Sequence, residues 1–230
     1  GMILKDDMYL NFHAHQQLPG DDEIVIQSKF LQEDLTAAMS DKIFFTSGLH
    51  PWHAGFLTET EIRNRLEKLV LDKRIIAIGE TGIDKLKGPD LCTQEKVLKV
   101  HMEIAENHQL PLIIHSVKAH NEILKLKIDS KSNIPWVIHH FNGSKQMALD
   151  FIEHGFYLSV CHHIKNNSSR LSEYLNKLPL NRLFLETDDF DVDIKELYHV
   201  ASEKFGITVH EMKRQLIKNL YDLLNFKKAN

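Results

Sequence analysis

Residues 75–79 form an apolar run with no polar interruption, and the run ends directly on a carboxylate, Glu80. Such a run is the mark of a strand covered on both faces, as in a parallel sheet. A carboxylate where that strand stops is costly to bury unless something cationic meets it. The same punctuation recurs along the chain, and most of the recurring polar residues are histidines. Apolar stretches lead into His13-Ala14-His15, His50, His115, His139-His140, His162-His163 and Glu186-Thr187-Asp188. Carboxylates and imidazoles gathered at one rim of a parallel sheet make a metal site.

Read in order, the chain alternates. Strands are expected at 8–12, 23–28, 43–47, 75–80, 112–114, 136–138, 156–160 and 183–185, with Thr81, Gly82 and Asp84 forming a turn after the fourth. Helical spacing of apolar residues and capping chemistry predict helices at 30–39, after Thr58, and at 94–108, 119–127, 144–154, 168–178, 194–205 and 209–224. Thr58 with Glu61, and Thr208 with Glu211, read as capping boxes, and Gly155 as a helix stop. Eight strands alternating mostly with helices predict an α/β fold, a (β/α)8 TIM-type barrel, as one domain over 2–230. Gly1 reads as a tag-cleavage scar. Only about eight residues separate the first two strands, fewer than the dozen or so a parallel crossover needs. The first βα helix therefore reads as missing and the barrel as distorted there.

Composition narrows the function. A net charge of −4 gives no general attraction to nucleic acid or anionic membrane, so any such partner must be met locally. No apolar run approaches the roughly 20 residues of a membrane helix. The two cysteines, Cys92 and Cys161, form no CxxC motif, which suits free thiols in a reducing, cytoplasmic setting. Nothing in the sequence implies a protein partner.

In a barrel of this type the chemistry sits on the C-terminal rim. The rim would collect His13, His15, His50, Glu80, His115, His139 or His140, and Asp188. Imidazole and carboxylate suit Zn, Mn, Mg, Ni or Fe. Four histidines and two carboxylates exceed what one four-coordinate ion needs, whereas two ions about 3.5 to 4 Å apart sharing a carboxylate would use them all. His50 is placed to contact substrate from the rim or to fix the turn before Pro51. His162 lies close enough to touch it, and Lys118 is placed for a phosphate. His140 reads as a neighbour of the ligands, and Glu186 as either their support or a residue of the helix layer.

Six motifs, in order and spacing, resemble the TatD-related metal-dependent hydrolases: His13-Ala14-His15, Gly48-Leu49-His50-Pro51, Ala77-Ile78-Gly79-Glu80-Thr81-Gly82-Ile83-Asp84, Ile113-Ile114-His115-Ser116, Val137-Ile138-His139-His140-Phe141-Asn142-Gly143 and Leu185-Glu186-Thr187-Asp188. The resemblance runs from Tyr9 to the C-terminus. It implies a one- or two-metal centre and phosphodiester hydrolysis, typically of DNA, by metal-assisted attack of water. Carried over by position, His13, His15 and Asp188 would hold one metal and His115 and His139 the other. Glu80 would bridge, and Asp188 would orient or deprotonate the water. The chain departs from the family pattern at Asn11, Lys85, Val117, His140 and Asp189-Phe190-Asp191, and it lacks the downstream Arg-Asn-x-Pro segment. These departures keep two alternatives open. One is hydrolysis of a C–N or C–O bond on the same fold, and the other is a non-catalytic metal-binding relic.

Overall fold

The computed structural model describes residues 4–35 and 40–226. Eight strands form one sheet in sequential order: β1 (Tyr9–Ala14), β2 (Glu23–Phe30), β3 (Ile43–Gly48), β4 (Ile75–Asp84), β5 (Leu112–Val117), β6 (Trp136–Ile138), β7 (Phe156–Val160) and β8 (Leu183–Leu185). Each neighbouring pair is parallel. The sheet curls back on itself at the rim. Ala14 bridges Asp188, and the Asp188 N–H donates to the His13 carbonyl at 2.9 Å. The helices are α1 (Glu59–Leu69), α2 (Leu91–His108), α3 (His120–Ser130), α4 (Lys145–Glu153), α5 (Arg170–Tyr174), α6 (Ile194–Phe205) and α7 (Val209–Leu224).

Alternation along the strands sorts the core into two bodies. Leu10, Phe12, Ile24, Ile26, Ile76, Ile113, Val137 and Phe184 meet inside the barrel, with Ile217, Leu220 and Leu223 of α7 joining them. Phe45, Ile78, Leu112, Ile114, Trp136, Ile138, Phe156 and Leu185 face outward and pack with the helices. Both capping boxes form, at Thr58–Glu61 and Thr208–Glu211. Gly155 follows α4 at φ +84°, the left-handed stop its position predicts.

The local differences from the sequence reading have physical causes. No helix joins β1 to β2. Residues 15–22 run back without helix or strand, and eight extended residues reach roughly 27 Å, ample for a six-residue strand of about 20 Å. The helix expected at 30–39 does not start at Phe30, which instead ends β2 paired with Gly48. Residues 36–39 of that segment lie outside the described residues. The expected turn at Thr81, Gly82 and Asp84 is strand: β4 runs on to Asp84, with its register against β5 shifting between Ile78 and Thr81. A bulge of this kind lets the strand continue while re-aiming a side chain.

Candidate metal centre

Glu80 stands in that shifted stretch of β4 and is buried at the bottom of the rim. Its two oxygens face different histidines. Oε1 lies 2.7 Å from His139 Nε2, 3.4 Å from His50 Nε2 and 3.6 Å from His115 Nδ1. Oε2 lies 3.4 Å from His13 Nε2 and 3.9 Å from His15 Nε2, and accepts from the Ser28 hydroxyl at 3.2 Å. Asp188 closes the second set, its Oδ1 at 2.9 Å from His15 Nε2 and 3.6 Å from His13 Nε2.

Different local devices deliver these side chains. His115 and His139 follow simple alternation, since Ile113 and Val137 already point inward two residues earlier. His13 does not, because Leu10 and Phe12 take the inward positions of β1. The register of β1 against β2 shifts between Asn11 and Ala14, and His13 turns in. Asp188 adopts φ +52° beyond β8, and Asn11 holds the neighbouring residue. The Asn11 amide donates to Thr187 Oγ1 at 2.8 Å and its carbonyl accepts from the Thr187 N–H at 3.1 Å.

Outer partners fix the imidazoles. His115 Nε2 donates to Asp84 Oδ2 at 2.9 Å, which leaves Nδ1 as the nitrogen facing Glu80. The same Asp84 oxygen accepts from Trp52 Nε1 at 2.7 Å. His139 offers Nδ1 to Glu186 Oε2 at 3.3 Å and Nε2 to Glu80. Glu186 is thus a support of the site, not a residue of the helix layer. A carboxylate behind a histidine fixes the ring and raises its basicity toward an ion in front. His50 differs. Its Nδ1 accepts from the Trp52 N–H at 3.1 Å, so the neutral ring carries its proton on Nε2, toward Glu80. Burial lowers its pKa and keeps it neutral, a donor at the rim.

Electrostatics agree with a site built for cations. Burial alone would push the Glu80 carboxyl up, but charge on His139 and His13 outweighs it and holds the group well below the usual range. Asp188 is likewise held down against burial, by hydrogen bonds from His140 and His15. Burial disfavours a charged His139, yet Glu80 and Glu186 raise its pKa well above the usual value. His13 Nε2 is buried without a hydrogen-bond partner, although it lies between Glu80 and Asp188. An unpartnered imidazole nitrogen between two carboxylates marks a place where a bound cation would complete the site. The ligand atoms of His13, His15 and Glu80 all lie within 4.8 Å of one another, as do those of His50, Glu80 and His115. The buried histidine and carboxylate cluster fits divalent metal binding.

A cavity of about 1010 Å³ opens onto this centre, with His15, His50, Glu80, His115, His139 and Asp188 in its wall. Lys29, Lys118 and Arg170 line it too, as does Asp189. His162 does not line it. Its ring packs on Phe190 at 4.2 Å and behind His140 at 5.3 Å. The sequence reading placed Asp84 in a turn and gave Ser28 no role, yet both touch the centre. For Asp84 the signal was its spacing: four residues beyond Glu80 in a strand lies on the same face.

An eight-stranded parallel barrel carrying this donor set at its carboxyl rim defines the class of metal-binding barrels. The chain belongs to the TatD related DNase family, whose model matches residues 25–225. An uncharacterized metal-dependent hydrolase of Buchnera aphidicola is 33% identical over 154 residues, 64% of this chain and 58% of its own length. The matched part is therefore less than two thirds of that relative. The Escherichia coli metal-dependent hydrolase YjjV, also uncharacterized, is 29% identical over 206 residues, 80% of this chain and 77% of its own. The crystal structure of YjjV shares the fold, with a TM-score of 0.81 at 22% identity over 96% of this chain and 99% of that one. Among the described residues, no helix is long and apolar enough to cross a membrane.

Proposed function

We propose that the chain hydrolyses phosphodiester bonds, DNA among its substrates, with one or two divalent ions held at the Glu80 centre. The carrying observation is the division of labour at Glu80, whose Oε1 addresses His115 and His139 while Oε2 addresses His13 and His15. In this reading His13, His15 and Asp188 would hold one ion, His115 and His139 the other, and Glu80 would serve both. Divalent ions there supply an acidified water and counter-charge for a reacting phosphoryl group.

The chain's own residues do the rest. Asp188, its Oδ1 near His15 and its side chain in the cavity wall, orients the attacking water and takes its proton. His50, neutral with Nε2–H inward, donates to a substrate oxygen. Lys118 and Arg170 on the cavity wall meet flanking phosphates. The nuclease description of the family supports DNA as the substrate.

The test is a panel: bis(p-nitrophenyl) phosphate, single-stranded DNA, a lactone and a cyclic amide, each with Mg2+, Mn2+ or Zn2+. The expected result is turnover of the phosphodiesters that Glu80→Gln abolishes. Turnover confined to the lactone or amide, phosphodiester cleavage that survives Glu80→Gln, or no turnover at all would overturn the proposal.

A further inference from the structure

Beside the Glu80 centre lies a cluster of different chemistry. His140 follows β6 at φ +49°, Cys161 follows β7, and His162 opens the short 3₁₀ turn His162–Lys165. Pairing of β6 with β7 brings these residues to one place on the rim. One ligand atom from each of His140, Cys161 and His162 lies within 4.8 Å of the other two. Cys161 is a free thiol with no exposed surface.

We propose that His140, Cys161 and His162 form a metal site separate from the Glu80 centre, selective for a borderline-soft divalent ion such as zinc. Three observations carry it. The His162 Nδ1 is buried and has no hydrogen-bond partner, so a lone pair or proton is left unsatisfied beside a thiol. His140 Nδ1 lies 2.8 Å from Asp188 Oδ2, and a carboxylate only accepts, so Nδ1 carries the proton. Nε2 of His140 is then the free donor nitrogen, in the carboxylate–histidine–metal arrangement seen for zinc ligands generally. Third, two imidazoles and a thiol that a bound ion would deprotonate make a zinc donor set, and the sulfur disfavours Mg2+ and Mn2+.

The site would bear on the chemistry next door. Asp188 joins the two clusters, its Oδ1 toward His15 and His13 and its Oδ2 toward His140. His140 also lines the cavity, and three protein ligands leave one tetrahedral position open. An ion there places positive charge beside Asp188 and Asp189, the acidic part of the cavity wall, and so favours anionic substrates. The metal site itself stands whichever bond the enzyme cuts.

The experiment compares metal-free wild type with Cys161→Ser, each titrated with Co2+ and with Zn2+. Wild type should bind about one equivalent more of either ion than the variant. Its cobalt form should show thiolate-to-metal charge-transfer absorption in the near ultraviolet, which the variant lacks. Mn2+ should bind both proteins to the same stoichiometry. The His13→Ala/His15→Ala double variant, crippled at the other centre, should keep the thiolate band. No thiolate band in folded wild type, or equal zinc stoichiometry in the two proteins, would overturn the proposal. So would loss of the band in a double variant whose circular dichroism is unchanged, since the site would then not be separate. A protein that keeps the band but turns over no phosphodiester refutes the function proposed above and leaves this site intact.

Discussion

His115 Nε2 sits 2.9 Å from Asp84 Oδ2, and that contact decides which nitrogen of the ring faces Glu80. Asp84 is itself held by the Trp52 indole and by the backbone N–H groups of Leu86 and Lys87. The ring is therefore anchored through the turn that holds Trp52 and through the loop that follows β4. Removing the anchor should cost about 10- to 100-fold in metal affinity, as loss of an outer partner does elsewhere. Asp84→Ala, measured by chelator competition, is expected to fall in that range. Asp84→Asn, which can still accept from Trp52, should fall less. Unchanged affinity in both variants would mean that His115 is not a ligand.

A second expectation concerns what the ions do for the fold. The centre buries Glu80 and Asp188 among imidazoles, and an ion that binds only the folded chain stabilises it by mass action. At a free ion concentration a hundred times Kd the gain is about 2.7 kcal/mol. That corresponds to roughly 5 to 10 °C in Tm for a chain of this size. Scanning calorimetry of metal-free and Mn2+-loaded wild type should show it, Mn2+ being an ion that the thiol-containing cluster disfavours. Glu80→Gln keeps the side-chain shape but loses the shared charge; with affinity down about a hundredfold the gain falls to about 0.4 kcal/mol, and the metal-dependent shift should shrink to about a degree or two at most. A full shift in that variant would place the ions elsewhere.

The barrel was legible because eight apolar runs punctuate the sequence, and His115 and His139 were legible because alternation alone points them inward. His13 and Glu80 carry a different lesson. Strict alternation from Phe12 would send His13 outward, and only the register shift at Asn11/Ala14 brings it in; strict alternation from Ile76 would give Glu80 the inward face, but Ile78 between them packs outward, and the strand regains that face through the shift at Ile78/Thr81. Such shifts depend on pairing between distant segments, so no local pattern announces them. The same non-local pairing made Phe30 a strand residue against Gly48, although its apolar spacing with Leu31 and Leu35 is helical. His140 was legible as a neighbour of the histidine and carboxylate cluster. Its contact with Asp188 required the fold, because the two residues are 48 positions apart.

Close backbone approach gives a third prediction. Gly82 adopts φ +149°, and a Cβ there would overlap the carbonyl oxygen of His115, a backbone atom that cannot move aside. Gly82→Ala is expected to destabilise the protein by roughly 3 kcal/mol or more in urea unfolding, or to prevent its recovery in folded form. Gly55 supplies the control, since a Cβ there meets nothing within 4 Å. Gly55→Ala should stay within about 0.5 kcal/mol of wild type. If the two substitutions cost the same, the close packing of β4 on β5 behind the metal centre is wrong.

The last prediction is a pH dependence assigned to one residue by difference. His101 of α2 is buried. Its Nε2 accepts from the Leu49 N–H at 2.9 Å, and its Nδ1 donates to the Val97 carbonyl at 2.8 Å. It thereby ties the Gly48-Leu49-His50 turn to the helix layer. Burial pushes its pKa down from 6.5 to about 4, because a charged ring there would lose its water and its acceptor role toward Leu49. Between these values the unfolded chain takes up a proton and the folded chain does not. Stability from this residue is therefore fully present above pH 6.5, is lost as pH falls toward 4, and changes no further below that. The shift corresponds to about 3 kcal/mol over the window. Other groups titrate in the same range, so the measurement is the difference between wild type and His101→Gln, whose amide can still accept from Leu49. Urea unfolding at intervals from pH 4 to 7 should show the wild-type advantage growing by that amount as pH rises. A difference that stays flat across the window would show that His101 is protonated in the folded protein.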